Sequence, residues 1–149
     1  LRTRRPEVPL LYATDTQFAI GGSQTLMQGD AITVVSAGYM VHVCKQAVED
    51  LLTHGINCAL IDAYSFPLDT KPILAQAQRT GGKILTVEDN YIGGLAGAIA
   101  EAAAETGAIQ VHSMTCKKMP RSARSTDEIM AYVGLSATDI VAKARLLLK

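Results

Sequence analysis

The chain has 149 residues, 48% of them hydrophobic, which is enough for one well-filled domain core. Fourteen basic and fourteen acidic side chains leave it with no net charge, so there is no electrostatic case for a nucleic acid or an anionic membrane as partner. No apolar run approaches the ~20 residues that span a bilayer, and the N-terminus lacks the basic-then-apolar pattern of a signal peptide. Only 5% of residues are aromatic, so the core is expected to be built from Ala, Val, Ile and Leu. Cys44, Cys58 and Cys116 are odd in number and widely spaced, which argues against a disulfide or zinc framework and sets a reducing compartment, the cytoplasm, as the expectation.

The chain opens on Leu1-Arg2-Thr3-Arg4-Arg5-Pro6-Glu7, without Met, and reads as the middle of a longer polypeptide. Residues 1–9, basic and carrying Pro6 and Pro9, read as a linker from an upstream domain, with the domain proper over 10–149. Leu10–Ala13 is expected to form a short strand, and Gly21-Gly22 and Gly29-Asp30 mark turns. A regular cycle follows. Ala31–Ala37 is almost wholly apolar and β-branched, as in a strand buried on both faces. Met40–His54 carries Val41, Cys44, Val48, Leu51 and Leu52 as one helical stripe, stopped by Gly55. Ile56–Ala63 is a second strand, and Asp69-Thr70 with Pro72 starts a helix that buries Ile73, Leu74 and Ala77. After Gly81-Gly82 come a third strand at Lys83–Val87, a loop over 88–94 and an Ala-rich helix over Leu95–Glu105. Ile109–Cys116 is a fourth strand. A basic, Ser-rich loop over 117–125 leads to short helices at Asp127–Tyr132 and Thr138–Leu148.

Strands and helices in alternation imply an α/β fold: a parallel sheet covered on both faces, joined by right-handed crossovers. Any site belongs to the loops at the carboxyl ends of the strands, which begin near Gly38, Tyr64, Glu88 and Cys116. The loop Glu88-Asp89-Asn90-Tyr91-Ile92-Gly93-Gly94-Leu95-Ala96-Gly97 is rich in glycine and opens a helix, as a phosphate cradle does. Its glycines fall as G-G-x-x-G, however, and two acids at its entrance repel anions. The favoured reading is a tight turn, with acids drawn to a helix N-terminus. His42, His54 and His112 show no metal-ligand spacing and no Ser or Cys triad, and Cys116 is the best exposed thiol. Lys117, Lys118, Arg121 and Arg124 put four cations beside a strand end, either as a solvated loop or as a docking loop.

Several segments, in order, resemble the C-terminal domain of the transketolase family. LRTRRPE resembles its Arg-Thr-x-Arg-Pro-Glu pattern and LIDAYSFPLD its stretch ending in Pro-Leu-Asp. GGKILTVEDNYIGGLAGAIAEAAAE resembles its acidic pair and glycine loop, and MPRSARSTDEIMAYVGLSATDIVAKAR its Pro-Arg-Ser loop with closing helices. Asn90, Ile92, Ala96 and Phe66 depart from the family's usual His, Glu, Gly and Lys. The resemblance implies a three-layer α/β/α domain with a mixed, mostly parallel five-stranded sheet, whose odd strand comes from the N-terminal part. It implies a parent enzyme, a homodimer, that moves a two-carbon ketol unit between sugar phosphates using thiamine diphosphate and magnesium or another divalent metal. Those cofactors bind the upstream domains or subunit. This chain is expected to hold no cofactor or metal and to be inactive alone, having no Gly-Asp-Gly with a following metal-binding Asn. By the same resemblance Arg2 holds the substrate's terminal phosphate, with no catalytic residue in this chain. By their placement at the carboxyl strand ends, Arg121, Ser122, Glu88 and Asp89 are expected at a docking interface. Two related alternatives share the fold: the matching domain of a deoxyxylulose phosphate synthase and that of a 2-oxo-acid dehydrogenase beta subunit. A stand-alone regulatory or assembly module and a small nucleotide-binding protein are the others.

Overall fold

A computed structural model describes residues 8–149. Five strands and five helices follow in chain order: β1 Gln24–Met27, β2 Thr33–Ser36, α1 Met40–Thr53, β3 Ala59–Asp62, α2 Lys71–Arg79, β4 Lys83–Val87, α3 Leu95–Thr106, β5 Gln110–Met114, α4 Thr126–Val133 and α5 Ala137–Leu147. The sheet order is β1-β3-β2-β4-β5. The pairs β3–β2, β2–β4 and β4–β5 are parallel and β1–β3 is antiparallel. All four strands expected to be parallel are so, and the N-terminal part supplies the odd one.

The ladders are shorter than the apolar runs that announce them, because chain beyond a ladder bonds at its ends only. Ala59 N donates to Ile32 O and Ala63 N to Ser36 O, so Ile32 and Ala63 extend the ladder by one bond at each end. Leu10–Ala13 forms no strand. The sheet edge beyond β3 is taken by β1, so this stretch attaches through the Tyr12 side chain instead.

Alternation along the buried strands divides the core. Val34, Leu60, Leu85 and Val87 face α1, α4 and α5 with Met40, Cys44, Leu51, Met130 and Ile140. Val35, Ile61 and Ile84 face α2 and α3 with Ile73, Leu95 and Ile99. Three layers result, because strands apolar on both faces must be covered on both. Two buried hydroxyl contacts bind the strands to their neighbours. The Thr33 and Thr80 hydroxyls meet at 2.7 Å, and the Ser36 hydroxyl donates to Val87 O at 2.8 Å. Among the described residues no helix is long and apolar enough to cross a membrane.

The chain reverses at the middle of the sheet. From β2 it moves to β3 on one side, then returns past β2 to β4 and β5 on the other. The carboxyl ends of β2 and β4 therefore lie side by side with connections leaving in opposite directions, which opens a crevice between them.

α5 is fixed by a reciprocal cap. Ser136 Oγ accepts from Asp139 N and the Asp139 carboxylate accepts from Ser136 N at 3.0 Å. Ser136→Ala should lower the unfolding free energy by about 1 kcal/mol in urea denaturation; no change would mean that α5 is held by packing on α1 alone.

Candidate assembly face at the carboxyl edge of the sheet

The crevice predicted by the strand order is present. A cleft of about 480 Å³ opens between the β2 and β4 ends, lined by Val8, Ala37, Gly38, Tyr39, His42, Glu88, Asp89 and Asn90. One wall is the start of the glycine-rich loop, and its geometry decides whether an anion can be held there. The Glu88 side chain turns inward, leaving the residue 8% exposed. Its two carboxylate oxygens accept from the free N–H groups of Leu95, at 3.1 Å, and Ala96, at 3.4 Å. The carboxylate thus occupies the α3 N-terminus, where partial positive charge favours an anion. A Cβ at Gly94 would overlap the Glu88 carboxylate, so a side chain there would displace this cap. Gly97 faces open space on the exposed side of the helix.

Asp89 and Asn90 continue the loop across to the β5 end. Cys116 N donates to Asn90 O at 2.9 Å, and Glu88 N to Met114 O at 3.1 Å. The loops after β4 and β5 therefore form one unit. Burial, then the nearby Asp89 charge, push the Cys116 thiol up from its ordinary value, the opposite of what a nucleophilic cysteine needs.

The basic loop is organised around one ring. The Arg121 guanidinium lies 4.8 Å from the Tyr132 ring centroid and Lys118 Nζ 5.2 Å from it; Lys118 also donates to Tyr132 O. Ser122 and Arg124 are exposed beside them. Beside this loop the Tyr91 hydroxyl contacts Met119 Sδ at 3.9 Å, while Ile92 and Met119 are 85% and 77% exposed. An apolar and cationic surface of this kind, on an otherwise well-packed domain, is typical of contact with another protein surface.

Sequence reasoning missed a second feature of the same edge. Asp62, at the end of β3, is 6% exposed. Its Oδ2 accepts from the Tyr12 hydroxyl at 2.6 Å, and its Oδ1 has no hydrogen-bond partner among the described residues. Burial raises the Asp62 pKa; the Tyr12 hydrogen bond and the His42 charge lower it but do not cancel the effect. Tyr12 is raised in turn by burial and by Asp62. Tyr12, Phe18 and Tyr64 stack edge to face at 4.9 Å spacings, tying the irregular lead-in to the sheet. One signal was legible: an acid within the apolar run INCALIDA has no place in a buried strand unless something holds it.

Among the described residues, no group of three or more His, Cys, Asp or Glu is placed to hold a metal ion. Arg2 lies outside the described residues.

The family model described as "Transketolase, C-terminal domain" matches residues 21–140. The chain belongs to the transketolase C-terminal domain family. It is 37% identical to bovine transketolase-like protein 1, over all of this chain and 26% of that protein. It is 34% identical to human transketolase, over 97% of this chain and 23% of that protein. The chain thus spans about a quarter of the length of these curated relatives. Among solved structures, a split-gene transketolase, an inactive β4 tetramer, superposes with a TM-score of 0.84 at 30% identity, covering 95% of this chain and 46% of that one. Transketolase from Campylobacter jejuni, at 18% identity and a TM-score of 0.65 over 93% of this chain and 20% of that one, shares the fold.

The transketolase family works with thiamine diphosphate and a divalent metal, and the α3 N-terminus does not fit that cofactor's diphosphate. The helix N-terminus best placed to cradle a diphosphate already carries the Glu88 carboxylate, whose charge repels phosphate oxygens.

Two outcomes follow from these contacts. Gly94→Ala should destabilise the chain by about 1 kcal/mol by displacing the Glu88 carboxylate from the α3 N-terminus. Gly97→Ala should stabilise it by about 0.5–1 kcal/mol, as Ala does in an exposed helix. Urea denaturation of both variants checks the pair, and the reverse order would contradict the assignment of Glu88 as the α3 cap. For Asp62 the folded pKa is raised, so its contribution to stability is fully present below the unfolded value of about 3.9 and is lost as pH climbs through the folded value. The stability of the wild type relative to Asp62→Asn should therefore fall as pH is raised from about 4 towards neutrality. A flat or rising difference in denaturation at several pH values would contradict the burial of this charge.

Proposed function

We propose that this chain is the C-terminal domain of a transketolase, a transferase that moves a two-carbon ketol unit between sugar phosphates. In this reading residues 1–9 link it to upstream domains, or follow an upstream subunit's surface, and residues 10–149 fold as the domain. Thiamine diphosphate with magnesium or another divalent metal belongs to that upstream part, in a homodimeric enzyme of the cytoplasm. The chain alone performs no chemistry; it supplies assembly surface and one substrate-binding arginine.

The observation that supports this reading most strongly is identity of 34% with human transketolase along 97% of the chain. The closed α3 N-terminus supports the placement of the cofactor elsewhere. The carboxyl edge offers what docking needs: Arg121 and Ser122 on the basic loop, Asp89 in the cleft, and exposed Ile92 and Met119. Glu88 acts on that edge indirectly, by shaping the loop. The resemblance to an inactive β4 tetramer of a split-gene transketolase favours a second form of the same reading, in which the upstream part is a separate chain. Mixing the two should then restore turnover.

Arg2 is the substrate residue, by its match to the family arginine in the Arg-Thr-x-Arg-Pro-Glu pattern. A guanidinium holds two phosphate oxygens at once, and a charge-assisted hydrogen bond contributes about 1.5–3 kcal/mol. In the complete enzyme Arg2→Ala should raise KM for sugar phosphates about ten- to a hundredfold, with kcat less affected, because the phosphate is bound alike in ground and transition states. Hydroxypyruvate, which has no phosphate, should keep its KM. Equal losses for both substrates would assign Arg2 a structural role.

A further inference from the structure

Away from the carboxyl edge, three basic side chains converge where β4, β5 and α5 meet. Lys83 and Leu85 alternate onto the same face of β4, and Leu85 pairs with His112 of β5 in the parallel register. Leu85 belongs to the core beneath α1, α4 and α5, so Lys83 and His112 point to the α5 side. Lys83 Nζ reaches the last turn of that helix and donates to Leu147 O at 2.7 Å. Lys143 lies one turn earlier on α5, on the same helical face as Leu147. All three side chains are half-buried.

None of the three makes an ion pair with a carboxylate among the described residues, as Lys45 does with Glu49. Lys83 meets the negative end of the α5 dipole, which leaves Lys143 and His112 without an acceptor there. Burial first, then the charges of Lys143 and Lys83, depress the His112 pKa. Like charges partly withdrawn from water repel one another, and a counter-anion placed among them relieves that repulsion.

We propose that Lys83, His112 and Lys143 form a binding site for a compact dianionic oxyanion of the phosphate type, free phosphate or a phosphate monoester. Lys143 offers three N–H donors, Lys83 the two not used on Leu147, and the imidazole one or two. That set matches the several acceptor oxygens of a phosphate better than the two of a single carboxylate. The site lies towards the amino ends of β4 and β5, apart from the carboxyl-edge cleft, and it requires neither Arg2 nor the upstream domains.

The test is an NMR titration of the His112 ring in the 149-residue chain, with and without inorganic phosphate at matched ionic strength. His42 and His54 serve as internal references. Bound phosphate should raise the His112 pKa by about one pH unit or more, as an adjacent opposite charge does, and leave the two references unmoved. Lys143→Gln removes no hydrogen bond of the described fold. It should raise the resting His112 pKa by lifting the repulsion and weaken phosphate binding roughly tenfold. Methyl phosphate in place of phosphate separates the two sources: a response to both marks a monoester site, a response to phosphate alone marks a site for the free ion. An unchanged His112 titration in both would overturn the proposal. So would a response only to an oligoglutamate peptide, which would make the cluster a protein-docking patch. Failure of the Arg2→Ala experiment would leave this result untouched, since the two sites share no residue.

Discussion

The Glu88 carboxylate on the α3 N-terminus settles what the carboxyl edge of this sheet can be. In an α/β domain the loop from a central strand into a helix is the natural seat for a phosphate, because the first helical N–H groups are free and the peptide dipoles converge on them. Here the chain fills that seat with its own anion. Leu95 and Ala96 are nearly buried, so their N–H groups cannot turn to water, and Gly94 leaves the space the carboxylate needs. The loop is consequently folded around an internal group. Its outer surface, with Tyr91 and Ile92, faces away from the domain.

The other features of that edge hang on this arrangement. Because the 88–94 loop is fixed, Asn90 O can receive Cys116 N, and the loop after β5 starts from a defined place. That loop carries the cations stacked on Tyr132. On the other side of the crevice, Asp62 and Tyr12 secure the lead-in at the end of β3. A buried carboxylate with one oxygen unbonded costs stability by itself, and its retention at the point where the chain enters the domain fits a role in holding the lead-in in register. The edge is thus a set of braced loops presenting apolar and cationic side chains, which suits recognition of a neighbouring protein surface.

Much of this was legible in the sequence, and the parts that were not have physical reasons. β2 was plain from AITVVSA, because a strand buried on both faces must be apolar throughout, and the helices declared themselves through stripes and glycine stops. Of the acid pair read as belonging to a helix N-terminus, Glu88 caps α3, while Asp89 lines the cleft. Two things escaped. Leu10–Ala13 has the composition of a strand, but strand formation needs a free neighbouring edge, and local composition does not report that β1 already occupies it. The Tyr12–Asp62 bond joins residues fifty positions apart, a pairing no local pattern encodes. The convergence of Lys83, His112 and Lys143 depends likewise on strand register and on how α5 lies across the sheet.

The proposed docking of the carboxyl edge against the thiamine-diphosphate-binding part can be read directly by hydrogen–deuterium exchange, comparing this chain alone with the same residues in the complete protein. Exchange should slow in 89–94 and 116–125, and stay unchanged in the turns of the opposite edge at 54–57, 81–82 and 107–109. Slowing confined to those opposite turns, or none at either edge, would contradict the assignment of the braced loops as the assembly face.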